Sequence, residues 1–148
     1  MSIEKEYGLS HVYIAGFVDG EGCFSIHKHQ DKRIKKGYTY FPKFTICNTD
    51  KNTLKLIQKE LGGRIFVSTK EHHKTKCTYN LAIQDLKTIK EAIDKISAFL
   101  ILKKKQAGIM LEYCKIRKEN KNYSEKEEKL YQEIKKLNKR GTEGIGYP

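Results

Sequence analysis

A run of apolar and small residues that ends in an acidic, glycine-rich tetrapeptide constrains the fold of this sequence most. The run is Val12-Tyr13-Ile14-Ala15-Gly16-Phe17-Val18, and Asp19-Gly20-Glu21-Gly22 follows it directly. Ser10 is a good N-cap and the two glycines allow a sharp exit, so the pattern predicts a helix between them. Because this helix is apolar nearly all round, we expect it to be buried on every side.

Two pairs of alternating segments follow the helix and predict strands. Residues 23–29 and 38–48 form the first pair and residues 64–70 and 77–83 the second, with a helix from about 50 to 61 between the pairs. Helices from 86 to about 100, from near 103, and from the capping box at 124–127 complete the chain. This order predicts an α+β fold with one four-stranded antiparallel sheet and helices on one face. We expect one domain over 1–148, with a core at about 7–115 and a C-terminal helical extension at about 124–140.

The alternation assigns each strand residue to one of the two sheet faces. The face toward the helices would carry the apolar set Phe24, Ile26, Tyr40, Phe44, Ile46, Ile65, Val67, Tyr79, Leu81 and Ile83. The open face would carry Arg64 and the candidates for contact with bases, Ser25, His27, His29, Thr39, Phe41, Lys43, Thr45, Phe66, Ser68, Lys70, Thr78 and Asn80. An open polar and basic face can lie in the major groove of DNA, or it can simply be solvated.

The charge of the chain favours nucleic acid over mere solvation. The 148 residues include 30 Lys and Arg against 18 Asp and Glu, a formal net charge of +12. Such a charge attracts polyanions, and counterion release favours binding to a phosphate backbone. Four of the basic residues are Arg, and the preponderance of Lys predicts more contact with phosphates than bidentate reading of guanine. The histidines on the open face would be partly protonated at neutral pH and so tune affinity.

The cysteines and the hydropathy pattern address location and metal binding. The four cysteines are widely spaced and form no CxxC pair, and no signal peptide or membrane-spanning apolar run is visible. We therefore expect an intracellular protein with reduced thiols and no membrane partner. A zinc site at His72, His73 and Cys77 is an alternative that offers three ligands in one loop.

The nonapeptide Ile14-Ala15-Gly16-Phe17-Val18-Asp19-Gly20-Glu21-Gly22 resembles the LAGLIDADG motif of the homing endonucleases, DNA-cutting enzymes encoded by introns and inteins. The element order and the segment Leu100-Ile101-Leu102-Lys103-Lys104-Lys105-Gln106-Ala107 resemble that family as well, over roughly residues 7–115. The resemblance implies an αββαββα fold with a saddle-shaped sheet. It also implies a site-specific endonuclease that hydrolyses a phosphodiester on each strand with divalent metal and leaves short 3′ overhangs.

The resemblance also assigns roles to individual residues. Glu21 matches the metal ligand, which is more commonly Asp in the family, and the Gly20 carbonyl would assist it. The expected cofactor is Mg²⁺, with Mn²⁺ substituting and Ca²⁺ binding without efficient cleavage. Lys103 matches a lysine near the scissile phosphate, or is a plain phosphate-binding lysine. Asn48 matches a residue that holds water near the metal, or is a turn residue, and Asp19 either braces the helix junction or adds a metal ligand.

The motif occurs once, so one chain supplies one Glu21 and a complete site needs two chains. Small residues let two such helices cross closely about a two-fold axis. We expect the interface of this homodimer to contain Ile14, Ala15, Gly16, Val18 and Asp19. A two-fold dimer favours a pseudo-palindromic target in double-stranded DNA. Two alternatives keep the fold without cutting: a maturase that binds intron RNA and a regulator that binds DNA.

Overall fold

The computed structural model describes residues 8–35, 37–69, 77–119 and 125–139. Its elements are α1 (His11–Glu21), β1 (Gly22–Gln30), β2 (Tyr38–Asn48), α2 (Lys51–Leu61), β3 (Arg64–Thr69), β4 (Thr78–Ile83), α3 (Leu86–Ile96), a 3₁₀ turn (Ser97–Phe99), α4 (Lys104–Glu119) and α5 (Glu125–Asn138). The predicted element order and the α+β class are confirmed. The helix predicted to reach about residue 100 ends at Ile96, because the tighter turn that follows carries Leu100 into the core at 2% exposure.

Side-chain caps explain where three of the helices begin. Ser10, Asp50 and Asp85 each accept a hydrogen bond from a backbone N–H group in the first turn of α1, α2 and α3. Such caps satisfy N–H groups that have no partner within the helix. The predicted cap Ser124 lies outside the described residues. No helix in the described part of the chain is long and apolar enough to cross a bilayer.

The strands form one antiparallel sheet in the order β1-β2-β4-β3, so β1 and β3 are its edges. Gly22 pairs with Ile46, Phe44 with Ile83, and Ile65 with Leu81. The helices pack on one face of this sheet and share a core that includes Phe24, Phe44, Leu54, Ile57, Leu81, Ile83, Ile89, Ile93, Met110 and Tyr113. The other face is left open.

One strand residue departs from its predicted burial. Val67 was expected among the buried residues, but it is 49% exposed. It does share the helix-facing side with Tyr79, its partner in the ladder. Because β3 is an edge strand with a register shift just after Val67, the helices do not cover this end of it.

The C-terminal helix α5 is tied to the β1 side of the sheet by several polar contacts. Asn138 Nδ2 donates to the Phe24 carbonyl at 2.7 Å. The Lys28 ammonium lies 3.2 Å from the Glu128 carboxylate, which also accepts a hydrogen bond from the Tyr40 hydroxyl. The Tyr40 hydrogen bond is the main cause that holds the pKa of Glu128 below its usual value. The extension is therefore packed into the same body as the sheet.

Candidate nucleic-acid interface and metal site

Glu21 stands at the junction where α1 passes into β1 without a linker. The junction is tight, because a Cβ atom at Gly22 would lie 2.9 Å from both the Val18 Cγ1 atom and the Val18 carbonyl oxygen. Gly20 and Glu21 are both exposed, and a Cβ atom at Gly20 would meet nothing within 4 Å. The carboxylate predicted to bind metal is therefore held at a fixed backbone position and accessible from outside the chain.

A carboxylate of α1 caps the start of the segment that leads into α4. The Asp19 Oδ2 atom accepts from the Ile101 N–H group at 2.8 Å. The Oδ1 atom accepts from the N–H groups of Leu102 at 3.1 Å and Lys103 at 3.0 Å. Both oxygens of Asp19 are thus engaged by backbone N–H groups. Asp19 was expected either to brace the helix junction or to bind metal, and these three contacts correspond to the bracing role.

The Lys103 side chain contacts the backbone of α1, just as the Asp19 side chain of α1 contacts the backbone of residues 101–103. The Lys103 ammonium donates to the carbonyl oxygen of Asp19 at 2.7 Å and to that of Val18 at 3.3 Å. Positive charge is favourable at a helix C-terminus, where carbonyl groups lack partners within the helix. The structure therefore brings Lys103 to the end of α1 that carries Glu21, with its ammonium engaged by the protein backbone. We call the paired contacts of Asp19 and Lys103 the reciprocal cap.

Asn48 also lies at this end of the sheet. It follows Ile46, the partner of Gly22, by two residues on β2. Its Oδ1 atom accepts from the Asp50 N–H group at 2.8 Å, which is the turn role that was one of its two predicted alternatives. The structure thus gathers Asn48, Lys103, Gly20 and Glu21 around one end of the sheet.

The donors available from one chain suit a hard divalent cation but are too few to hold it. Carboxylate and carbonyl oxygens, as offered by Glu21 and Gly20, are the ligands that Mg²⁺ and Ca²⁺ prefer. Within 8–35, 37–69, 77–119 and 125–139, no three His, Cys, Asp or Glu side chains are grouped so that they could hold a metal. The zinc alternative rested on His72 and His73, which lie outside the described residues.

The surface of α1 corrects two expectations. Ile14, Ala15 and Val18 are 0% exposed because they pack into the chain's own core, so their predicted placement at a dimer interface is wrong. Burial on every side is wrong as well, because the opposite side of the helix is open. Val12 and Tyr13 are 59% and 51% exposed, and Gly16 and Gly20 are exposed beside them. We call Val12, Tyr13, Gly16 and Gly20 the open side of α1.

The ladder registers place ten of the twelve candidate base-contacting residues on the open face of the sheet, and the contact with Thr78 places Ser68 there as well; Lys70 lies outside the described residues. His27 lies opposite Phe41, and their rings stack with centroids 5.1 Å apart. The Ser25 hydroxyl lies 3.1 Å from His27 Nε2. On the other hairpin, the hydroxyls of Ser68 and Thr78 lie 2.8 Å apart. The open face thus presents hydrogen-bonding groups and two half-exposed aromatic rings, which can contact base edges.

Two exposed residues of this face, among those that the structure describes, were missed. Cys23 pairs with Thr45 and Cys47 with Asn80, and both cysteines are exposed. The alternation that assigned Ser25 and Thr45 to the open face also assigns Cys23 and Cys47 to it, so the sequence pattern was sufficient to predict both cysteines there.

The open face is less basic than expected. Among the described strand residues, Lys43 and Arg64 are the Lys and Arg side chains that it carries. Most other described lysines lie on helix surfaces turned away from the core, such as Lys51, Lys55 and Lys59 on α2. The open face therefore presents mainly hydrogen-bonding groups and aromatic rings, and most described lysines lie on the helices instead.

His27 also differs from expectation. Desolvation by burial, with the nearby Lys43 charge as the second cause, lowers the pKa of its imidazole below the usual 6.5. The protonated fraction of His27 at neutral pH is therefore smaller than that of an imidazole with the usual pKa.

Comparison with known proteins agrees with this geometry. The family model described as LAGLIDADG endonuclease matches residues 14–117. No curated protein sequence matches the chain significantly. Among solved structures, the archaeal intron-encoded homing endonuclease I-Vdi141I complexed with DNA is 24% identical, with a TM-score of 0.73 over 89% of this chain and 86% of that one.

Two further structures are similar over most of their length. The homing endonuclease I-CvuI in complex with the I-CreI target is 21% identical, with a TM-score of 0.73 over 90% of this chain and 83% of that one. The homing endonuclease I-TnaI is 23% identical, with a TM-score of 0.71 over 90% of this chain and 91% of that one. At these identities the structures show the shared fold, while the family model covers most of the sequence. The chain is therefore a single-motif member of the LAGLIDADG endonuclease family.

Proposed function

We propose that this chain is a homing endonuclease that acts as a homodimer on a long pseudo-palindromic site in double-stranded DNA. Each open sheet face would contact one half-site in the major groove, and one phosphodiester would be hydrolysed on each strand, leaving short 3′ overhangs. The observation that carries the proposal is the exposed Glu21 carboxylate at the end of the open side of α1. A second copy packed on that side would bring a second carboxylate beside the first.

Divalent metal completes the proposed site. Glu21 and Gly20 of the two chains would supply its oxygen donors, and Mg²⁺ is the expected ion. When bound, the ion makes water a better nucleophile and stabilises charge on the phosphodiester oxygens. Structures of I-CvuI were determined in the presence of Mg and of Ca, and the DNA in the Mg complex was not cleaved. In this chain, the reciprocal cap holds the backbone that carries the ligands.

The experiment that tests the proposal selects cut sites from a randomised duplex library, once with Mg²⁺ and once with Ca²⁺. We expect cleavage at one pseudo-palindromic site in Mg²⁺, and binding with little cutting in Ca²⁺. Tight specific binding without cutting in any divalent metal would assign the chain as a regulator. Absence of specific DNA binding would favour the maturase and its intron RNA. An intracellular location stays a prediction.

Replacement of the ligand gives a sharper test. Glu21→Gln keeps the size of the side chain but removes the charge that attracts the metal, so we expect cleavage to fall at least about a hundredfold. Because Glu21 is exposed and lies outside the set that contacts bases, the affinity for the duplex in Ca²⁺-free buffer should stay near that of the wild type. Persistent cutting by purified Glu21→Gln would exclude Glu21 as the metal ligand.

A further inference from the structure

A groove of about 740 Å³ runs between β1 and the C-terminal helix α5. Its described lining includes Lys28, Lys135, Lys136 and Lys139 and no Asp or Glu. Lys28 is neutralised by Glu128, which lies outside the lining. No acidic side chain of the described residues lies within 4.0 Å of the other three ammonium groups. The groove therefore carries a local excess of positive charge, and we call it the β1–α5 groove.

A second groove on the same helix shows that this imbalance is local. It lies between α4 and α5, has a volume of about 600 Å³, and is lined by Lys105 and Lys136 together with Glu112 and Glu133. Its two positive and two negative charges balance, so this groove has no net electrostatic attraction for a polyanion. The two grooves differ in charge although they share one helix and one lysine.

The β1–α5 groove is continuous with the open face of the sheet. Ser25 and His27 belong to the open face, and both also line the groove. Gln132 and Asn138 add hydrogen-bonding side chains on the helix side. A ligand that follows the open face toward the β1 edge would reach these lysines without crossing an acidic barrier among the described lining residues.

The helix that carries the lysines is held in place rather than loosely attached. The Asn138 amide contacts the Phe24 carbonyl at 2.7 Å, and Lys28 contacts Glu128 at 3.2 Å. The Lys135 ammonium lies 5.6 Å from the centroid of the Tyr131 ring. The backbone positions that carry Lys135, Lys136 and Lys139 are therefore fixed beside the β1 edge of the sheet.

We infer that the β1–α5 groove binds the phosphate backbone of the DNA that flanks the segment covered by the sheet. The inference rests on the proposed function, because it assumes that duplex DNA lies on the open face. Lys135 and Lys139 supply the phosphate contacts, which carry no sequence information but lengthen the footprint of each protomer. The target site is therefore bound over a longer stretch than the sheet alone reads.

The test compares two matched double variants on two duplexes. Lys135→Ala/Lys139→Ala removes two charges from the groove, and Lys126→Ala/Lys129→Ala removes two exposed charges of α5 that line neither groove. The probes are the duplex recovered from the library selection, trimmed to its recognised sequence, and the same duplex extended by one helical turn, about 10 base pairs, on each side. Affinity is measured in Ca²⁺ as a function of salt.

On the extended duplex, loss of two phosphate contacts should reduce the slope of log K against log salt by about 2 per protomer. The groove variant should match the wild type on the trimmed duplex, and the control variant should match it on both. Equal slopes for groove variant and wild type on the extended duplex would overturn the inference. So would a loss of equal size on the trimmed duplex.

Two further outcomes separate this inference from others. A defect confined to binding of an RNA hairpin, with both duplexes unaffected, would assign the groove to RNA and overturn the DNA assignment. Failure of the wild-type protein to bind any duplex would instead refute the proposed function itself. Because all four substituted lysines are exposed, unchanged thermal unfolding midpoints confirm that each variant is folded.

Discussion

At the level of single residues, the Lys103 ammonium lies against two carbonyl oxygens at the end of α1. The family resemblance implies a lysine near the scissile phosphate, and the structure shows one that holds the backbone next to Glu21, the proposed metal ligand. A group in this place acts through Gly20 and Glu21 by fixing where their oxygens lie. We therefore expect Lys103 to be a positioning residue.

Lys103→Met should leave the Val18 and Asp19 carbonyls without their donor and lower the free energy of unfolding by about 1–2 kcal/mol. It should also raise the Mg²⁺ concentration that gives half-maximal cleavage by about 10–100-fold, as for other residues that orient a metal ligand. Lys103→Arg keeps the charge and should restore much of the metal affinity. A lower cleavage rate at saturating Mg²⁺, with an unchanged Mg²⁺ requirement, would place Lys103 at the phosphate instead.

The pKa of His27 can be measured directly by NMR titration of its imidazole. We expect a midpoint below 6.5 in the wild type, a large rise in Phe41→Ala because burial is the main cause, and a smaller rise in Lys43→Gln. Because the pKa of His27 is lower in the folded protein, the unfolded chain takes up this proton at a higher pH than the folded chain does. His27 therefore stabilises the fold above about pH 6.5, and this contribution is lost as the pH falls through the folded-state pKa. A larger effect from Lys43→Gln would reverse the assigned order of causes.

At the level of elements, the sequence predicted which segments are helices and strands but not which side of α1 is covered. Alternation and caps such as Ser10 and Asp50 are local signals, and the structure follows them. Val12 and Ile14 are both apolar, so periodicity cannot tell the open side from the core side. The helix α1 packs against α3 and the turn at 97–99, which lie some eighty residues away in the chain, so its covered side depends on distant segments. The N–H groups that donate to Asp19 are equally distant, so the pattern predicted a brace without its donor groups.

Gly16 on the open side of α1 offers a test of dimer formation. A Cβ atom there meets nothing within 4 Å, so Gly16→Leu fits the monomer and should stabilise its helix by about 0.5–1 kcal/mol. The added side chain should nevertheless block close approach of a second α1, and sedimentation velocity should show a monomer. Gly108→Leu is the control, because Gly108 is also helical, exposed and free of neighbours within 4 Å. A Gly16→Leu protein that still sediments as a tight dimer would move the interface away from α1.

At the level of the whole molecule, positive charge is spread over the helices more than over the surface expected to read DNA. Charge of this kind attracts a polyanion from many directions and raises the rate of encounter. The open sheet face, with rings and hydroxyls in place of many lysines, is then suited to discriminate after contact. Net charge from the sequence predicted the class of partner, but its distribution depended on which residues of each helix face away from the core.

The reciprocal cap also determines when, during synthesis of the chain, the backbone at Glu21 becomes fixed. The N–H groups that hold Asp19 lie 82 to 84 residues further along the chain, and the ammonium that holds the end of α1 lies among them. Synthesis runs from the N-terminus, so Glu21 emerges early but its backbone is fixed only after residue 103 has been made and folded back. A nascent polypeptide in which residue 103 has not yet emerged, or one truncated before that point, lacks this restraint on Glu21 even though it contains the entire nonapeptide.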